Sequence, residues 1–250
     1  MNAAAGQPFT LRLIFHGDLP LFVRPRRGAS EIVRQLHEKT SVKDAIEACG
    51  VPHPEIDLIV VNGRAVDFSS LLTADATIEV YPVPAPSELF PETRLQRRRH
   101  RFVADGHLGK LTRNLRLLGI DVVYQPLAGD AELVARATAE DRALLTRDRR
   151  LLMHAAVRDG YLPRSQLAEE QTREVLRRFL LRPAVAPQTR CLRCNGLLIS
   201  VAKSDVLHEL EPLTRIYYED FRRCRDCSAV YWAGSHLEKL KARVERLLVD

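Results

Sequence analysis

Two Cys-x-x-Cys pairs, Cys191-Leu192-Arg193-Cys194 and Cys224-Arg225-Asp226-Cys227, limit what the last quarter of this 250-residue chain can fold into more than any other feature. The stretch between them runs from Asn195 to Arg223, 29 residues. Two such knuckles suit one tetrahedral ion held by four thiolates. Zn²⁺ is the expected ion, with an iron–sulfur centre as the alternative. Four protein ligands close the coordination sphere, so the site reads as structural and not catalytic. Disulfides would need an oxidising compartment. The start, Met1 to Pro8, has neither the basic residues nor the apolar stretch of a signal peptide. No apolar run approaches the roughly 20 residues that span a bilayer, so the expected setting is cytoplasmic, with no membrane. The fifth cysteine, Cys49, lies among apolar neighbours in a predicted helix and reads as a small buried hydrophobe.

Ahead of the cysteines the chain changes pattern twice. Phe9-Thr10-Leu11-Arg12-Leu13-Ile14-Phe15 alternates apolar and polar residues with the period of a half-buried strand. Leu21-Phe22-Val23 reads as a second extended stretch, ending in a basic turn from Arg24 to Gly28. Ser41 offers an N-cap to a helix from Val42 to Ala48, which stops at Gly50 before Pro52. Strands follow at Leu58–Val61 and Thr77–Tyr81. The first of them turns at Asn62-Gly63, the residue pair of a type I′ turn. This ββαββ order resembles the β-grasp fold of ubiquitin and the small sulfur carriers. Those carriers end in a flexible Gly-Gly whose carboxylate is activated, whereas this strand continues into Val83-Pro84-Ala85-Pro86. Carrier chemistry is excluded on that ground, and a binding or scaffolding role with a protein partner is the expectation.

Pro82, Pro84, Pro86 and Pro91 predict a semi-rigid linker leading into Arg97-Arg98-Arg99-His100-Arg101. The charge balance changes sign there. Residues 1–84 hold 8 basic and 10 acidic side chains, so the positive excess of a chain with net charge +6 lies wholly after them. Arginine outnumbers lysine 32 to 6, which suits bidentate phosphate contacts. A GC-rich genome produces the same bias. Charge therefore permits nucleic acid as a partner without establishing it, and the arginine run reads equally as phosphate contact or solvated cluster.

From residue 100 strands at Phe102–Ala104, Val122–Tyr124 and Ala143–Thr146 alternate with helices over 107–118, 131–141 and around 151–157. A weaker strand near Tyr161 and a helix over about 166–181 follow. Such units call for a parallel sheet with right-handed crossovers, the α/β class. Ligands of such a sheet bind at the carboxyl edge of its strands. Asp105 follows the first strand, Asp130 precedes the helix after the second, and Asp148 lies just past the third. The fold can thus gather three carboxylates. Gathered carboxylates repel one another unless a cation neutralises them, and hard ions such as Mg²⁺ or Mn²⁺ take oxygen ligands. An ion so held activates water and steadies a leaving phosphate oxygen. Singly, each acid has a plainer reading: Asp130 as an N-cap, Asp105 and Asp148 as ordinary loop aspartates. Glu132, in a helix first turn, and Asp141, read as solvated near a helix end, are weaker members.

The segments RFVADGHLGKLTRNLRLLGIDVVY and GDAELVARATAEDRALLTRDRRLL, with the later cysteine pairs, resemble the PIN-like RNase domain of the Mut-seven C-terminal family. Bacterial members of that family often carry a ubiquitin-like domain in front. The resemblance rests on Asp-x-x-Leu-Gly-Lys-Leu, Leu-Leu-Thr-Arg-Asp and two Cys-x-x-Cys pairs in that order. It implies a PIN-like, Mg²⁺- or Mn²⁺-dependent ribonuclease that cuts RNA, single-stranded or structured, with Asp105, Asp130 and Asp148 as the catalytic acids. The helix after Asp105 is expected to turn Lys110, Arg113, Asn114 and Arg116 away from its leucine stripe. Lys110 and Arg113, with Arg147 after the third strand, are the candidate RNA-backbone contacts. A non-catalytic RNA-binding or adaptor protein built from the same parts is the alternative.

Beside the second knuckle, Tyr231 and Trp232 are interleaved with Arg222 and Arg223. Aromatics so placed either form the core of a small ribbon or stack bases; the core is the preferred reading, and His236 is taken to start a last helix. The expected division is a ubiquitin-like β-grasp domain over 1–84, a Pro/Arg-rich linker over 85–99, a PIN-like nuclease domain over 100–187, and a zinc ribbon with a C-terminal helix over 188–250.

Overall fold

The computed structural model describes residues 7–25, 27–96, 99–234 and 237–249. Arg97, Arg98 and His236, singled out above, lie outside the described residues. The chain forms two compact units, Met1–Arg97 with Asp148–Leu162, and Arg98–Arg147 with Pro163–Asp250.

In the first unit, strand Phe9–Phe15 buries Leu11, Leu13 and Phe15 on one face and leaves alternate residues to solvent, as its period requires. It pairs antiparallel with Glu31–Leu36 and parallel with Ala76–Pro82. The last of these pairs antiparallel with Ile56–Val61, which turns back into Arg64–Val66. Positive φ at both Asn62 (48°) and Gly63 (78°) marks the I′-type turn between them. Helix Val42–Glu47 lays Val42, Ala45 and Ile46 on the sheet, and Ser41 caps it by accepting the Asp44 N–H at 3.0 Å. Cys49 is buried in this core. One expectation is corrected. The partner of the first strand is Glu31–Leu36 and not Leu21–Val23, where Leu19–Leu21 forms a single 3-10 turn. Pro20 lacks an N–H and fixes φ in the helical range, so it opens a turn more readily than a ladder.

The proline-rich segment is laid against this sheet. Ala85 is buried beside Leu58 and Val60, and its N–H donates to Asp57 Oδ2 at 3.1 Å. Leu95 packs on the main core, its N–H reaching the Asp57 carbonyl at 2.8 Å. Residues 148–162 belong to the same unit and include a one-turn helix, Arg149–Leu152, and a two-residue strand, Gly160–Tyr161.

The second unit is built on parallel strands in the order Ala143–Leu145, Arg101–Ala104, Asp121–Tyr124. Helix Asp130–Ala139 packs on the first two, and helix Gly109–Leu117 packs on the third and on helix Ala168–Arg178. An antiparallel sheet of Leu198–Val201, Phe221–Cys224 and Val230–Trp232 follows, with Phe221, Val206 and Leu210 as its small core. Helix Leu237–Leu248 packs on Ala168–Arg178. Among the described residues no helix is long and apolar enough to cross a membrane.

Candidate functional site

The two knuckles converge. The Sγ atoms of Cys191, Cys194, Cys224 and Cys227 lie within 4.8 Å of one another, the one group of three or more metal-ligating side chains to do so among the described residues. Two of the edges measure 3.6 Å (Cys191 to Cys227) and 3.4 Å (Cys194 to Cys224). A tetrahedron of thiolates at a zinc–sulfur distance of about 2.3 Å has edges of roughly 3.8 Å, so the donor set fits such an ion and the sheet is compatible with a zinc ribbon. The Tyr231 hydroxyl lies 3.1 Å from Cys191 Sγ and accepts the Leu192 N–H at 3.2 Å. Burial works against the Cys191 thiolate, but the Tyr231 hydroxyl and the N–H groups of Cys194 and Arg193 outweigh it and bring the thiol down to about 6. Burial, then the neighbouring sulfurs, push Cys194 up to about 12. Tyr231 therefore serves the knuckle and does more than fill a core, while Trp232 is 44% exposed and lies outside any core.

The first knuckle is riveted to the parallel sheet. Arg116 donates to the Val122 carbonyl from Nε (3.0 Å) and Nη2 (2.9 Å), and to the Leu192 and Arg193 carbonyls from Nη1 (3.3 and 2.9 Å). Asn195 accepts the Val122 N–H at 3.0 Å and donates to Asp121 at 2.8 Å. Two expected solvent-facing residues are thereby corrected: Arg116 is buried at this seam, and Asn114 is buried against helix Ala168–Arg178, donating to Thr172 at 3.0 Å. The reason is the same for both. A buried seam of carbonyls and hydroxyls needs donors, and those partners are remote in sequence.

At the carboxyl edge, strand Arg101–Ala104 has its successor in sequence on one side and Ala143–Leu145 on the other. The crevice beyond the ends of the first and third strands is therefore the topological switch point, where ligands of open α/β sheets bind. Asp105 is there. Its N–H donates to the Leu145 carbonyl at 3.0 Å, and its Oδ2 accepts the hydroxyl of the fully buried Thr146 at 2.8 Å. The loop that carries Asp105 approaches the second strand very closely: a Cβ on Gly106 would lie 2.5 Å from the Pro126 carbonyl oxygen, and one on Gly109 2.7 Å from the Tyr124 hydroxyl. That hydroxyl donates to the Gly106 carbonyl at 2.8 Å. The two glycines of Asp-Gly-His-Leu-Gly-Lys-Leu are thus required by the fit of this loop.

Asp130 is exposed as the first residue of its helix, with Gly129 and not Asp130 as the N-cap. Glu132 is exposed in the same first turn, where it complements the helix dipole. Asp148, in the first unit, caps Arg149–Leu152 by accepting the N–H groups of Arg150 (2.7 Å) and Leu151 (3.2 Å). Lys110 and Arg113 are exposed on helix Gly109–Leu117, and Arg147 is exposed and donates to Gln166. Of the arginine run, Arg99 is buried and pairs with Asp141, and Arg101 bonds the Glu140 carbonyl at 3.3 Å and faces Asp121 at 3.6 Å. Asp141, read above as solvated, is an ion-pair partner of Arg99. Thr146, Tyr124, Arg116 and Asn195 escaped sequence reasoning as site residues. Thr146 alone left a signal, inside Leu-Leu-Thr-Arg-Asp.

A parallel sheet with an aspartate anchored at its switch point, fused to a four-thiol centre, defines an α/β protein with a ribbon able to hold a metal. Residues 100–244 match the family described as the Mut7-C RNAse domain, and the chain belongs to that family. Residues 9–88 match the family described as Mut7-C ubiquitin. No curated protein and no solved structure matched the chain.

Proposed function

We propose that this chain is a PIN-like ribonuclease that hydrolyses RNA phosphodiester bonds with Mg²⁺ or Mn²⁺, and that its four thiolates hold a structural Zn²⁺. The observation that carries the reading is Asp105, fixed through Thr146 at the switch point of the parallel sheet. The ion would be held by an all-oxygen donor set, Asp105 and Asp130, with Asp148 assigned from its place in the sequence. When bound it supplies an activated water and steadies the leaving oxygen. Thr146 holds the Asp105 carboxylate through Oδ2 and so would orient it toward a cation. Lys110 and Arg113, exposed on the helix that begins just after Asp105, hold RNA phosphates outside the reacting centre, assisted by the positive amino end of that helix. Arg147 extends this basic set. We read 1–84 as the ubiquitin-like part, 85–99 as the connection, 100–187 as the nuclease and 188–250 as the ribbon. The setting is cytoplasmic, where thiols stay reduced for the metal.

The second reading, a non-catalytic RNA-binding or adaptor protein, is favoured by one observation: Asp148 has a structural task as a helix cap. The two separate in one experiment. Cleavage of single-stranded and structured RNAs is measured with Mg²⁺, Mn²⁺ or EDTA, alongside RNA affinity over a salt series. Asp105→Asn should abolish cleavage and spare binding, because an amide is a poorer ligand for a hard cation. Lys110→Ala and Arg113→Ala should weaken binding and lower its salt dependence. Wild-type protein that binds RNA well and never cuts it would hand the assignment to the adaptor.

A further inference from the structure

The ribbon carries a cavity of about 400 Å³ that the proposed chemistry does not use. Two adjacent cross-strand rows of the antiparallel sheet contribute to it. Ser200, Arg222 and Tyr231 are aligned across the three strands, with Val201, Phe221 and Trp232 in the next row. Leu192 of the first knuckle adds apolar surface, and Asp220 brings a carboxylate to the lining.

Trp232 is 44% exposed, so its ring is open to a ligand. Its place is built in: a Cβ on Gly234 would lie 2.9 Å from the indole Nε1, so the ring lies over a residue that has no side chain. Arg222 gives Nη1 to the Gln188 carbonyl at 2.7 Å, and its other N–H groups meet no partner among the described residues. The lining therefore combines aromatic rings, a guanidinium with N–H groups to offer, and hydroxyl and carboxylate acceptors.

We infer that this cavity receives one unpaired nucleobase of an RNA strand, with Trp232 as the stacking surface and Arg222 on the adjoining phosphate. The volume lies in the range of small-molecule sites, roughly 300–1,000 Å³, which admits a base and its ribose and excludes a paired stem. An apolar peptide side chain would leave Arg222 and Asp220 without use. A base attached to an anionic backbone uses aromatic face, cation and acceptors together, and stacking on exposed aromatics is how single strands are held without regard to sequence. The inference rests on the RNA reading above and adds to it a base-binding site remote in sequence from the acids.

Trp232 is the single tryptophan of the chain, so its emission reports on the cavity directly. The full-length Asp105→Asn protein, which should not cut its ligand, is titrated with a single-stranded adenosine octanucleotide, the same strand in a blunt duplex, and inorganic phosphate. Saturable quenching by the single strand alone is expected. Trp232→Phe should hold the strand within about twofold in an anisotropy assay and Trp232→Ala should lose about tenfold or more, since stacking contributes ~1–3 kcal/mol per base. Equal quenching by phosphate, or by the duplex, overturns the single-base assignment. Emission unmoved by RNA overturns the proposal whether or not the wild-type protein cuts RNA. Quenching with no cleavage by wild type keeps the cavity and removes the nuclease.

Discussion

Asp121 shows how much a single carboxylate can carry away from any chemistry. It stands at the amino end of its strand and meets Arg142 at 2.6 Å, Arg190 at 3.3 Å and the Asn195 amide at 2.8 Å. Burial would raise its carboxyl, but the bonds from Arg142 and Asn195 and the arginine charges prevail and hold it below the usual range. A carboxyl depressed on folding contributes stability that is present above its unfolded value of about 4 and is lost as pH falls through the folded value. Asp121→Asn should therefore flatten the loss of stability below about pH 4. Asp121→Ala should cost on the order of 3 kcal/mol at pH 7, because buried guanidinium groups lose their partner. Urea unfolding at pH 7 and pH 3 checks both. Thr146→Val keeps the shape at the switch point and removes the donor to Asp105; with hydrogen bonds to charged groups contributing about 1.5–3 kcal/mol, urea unfolding should show a loss of up to that size and RNA cleavage should fall tenfold or more. Asp105 and, faintly, Thr146 were legible beforehand; the seam around Asp121 was not. The sequence announces local chemistry, such as the Ser41 cap, the Asn62-Gly63 turn and the cysteine spacing. Arg116, whose carbonyl partners at Leu192 and Arg193 are more than seventy residues away, looks like any helix-surface arginine until the seam exists.

Among the elements, the stretch Asp148–Leu162 keeps the pattern the sequence announces and changes company. Its helix Arg149–Leu152 and its strand Gly160–Tyr161 both form, yet the stretch groups with the first unit. Arg149 donates to the Phe22 carbonyl at 3.0 Å, Leu162 gives its N–H to the buried Glu55 at 2.8 Å and packs on that core, and His53 Nε2–H donates to the Val157 carbonyl at 2.6 Å. The run from Val51 to Val60 is buried throughout, which periodicity alone cannot distinguish from a doubly covered strand. Here part of the cover comes from far along the chain. His53→Ala leaves a buried carbonyl unsatisfied, at about 1–3 kcal/mol. Hydrogen exchange should then show faster exchange across 148–162 while Phe9–Phe15 and Ala76–Pro82 keep their protection. Equal loosening of those strands would mean that His53 merely supports the whole core.

For the whole molecule, the thiol centre sets the larger risk. Metal binding at four thiolates is also folding free energy. Cys194→Ser, or a strong chelator, should unfold the ribbon and, through Arg116 and Asn195, loosen strand Asp121–Tyr124, while the strands of the first unit retain their exchange protection. Stoichiometric zinc in protein purified without chelator, lost together with ribbon order, is the expected observation. The excursion of residues 148–162 has a consequence of another kind, in heredity. The RNase family match begins at residue 100, so a gene deprived of its first 97 codons would still encode every residue of that match. The protein it encoded would lack His53, Glu55 and the Phe22 carbonyl, and with them the partners of Val157, Leu162 and Arg149. Recombination that cuts at the apparent border between the two parts therefore cuts through a folded unit. Its products would carry fifteen residues deprived of the unit they fold with.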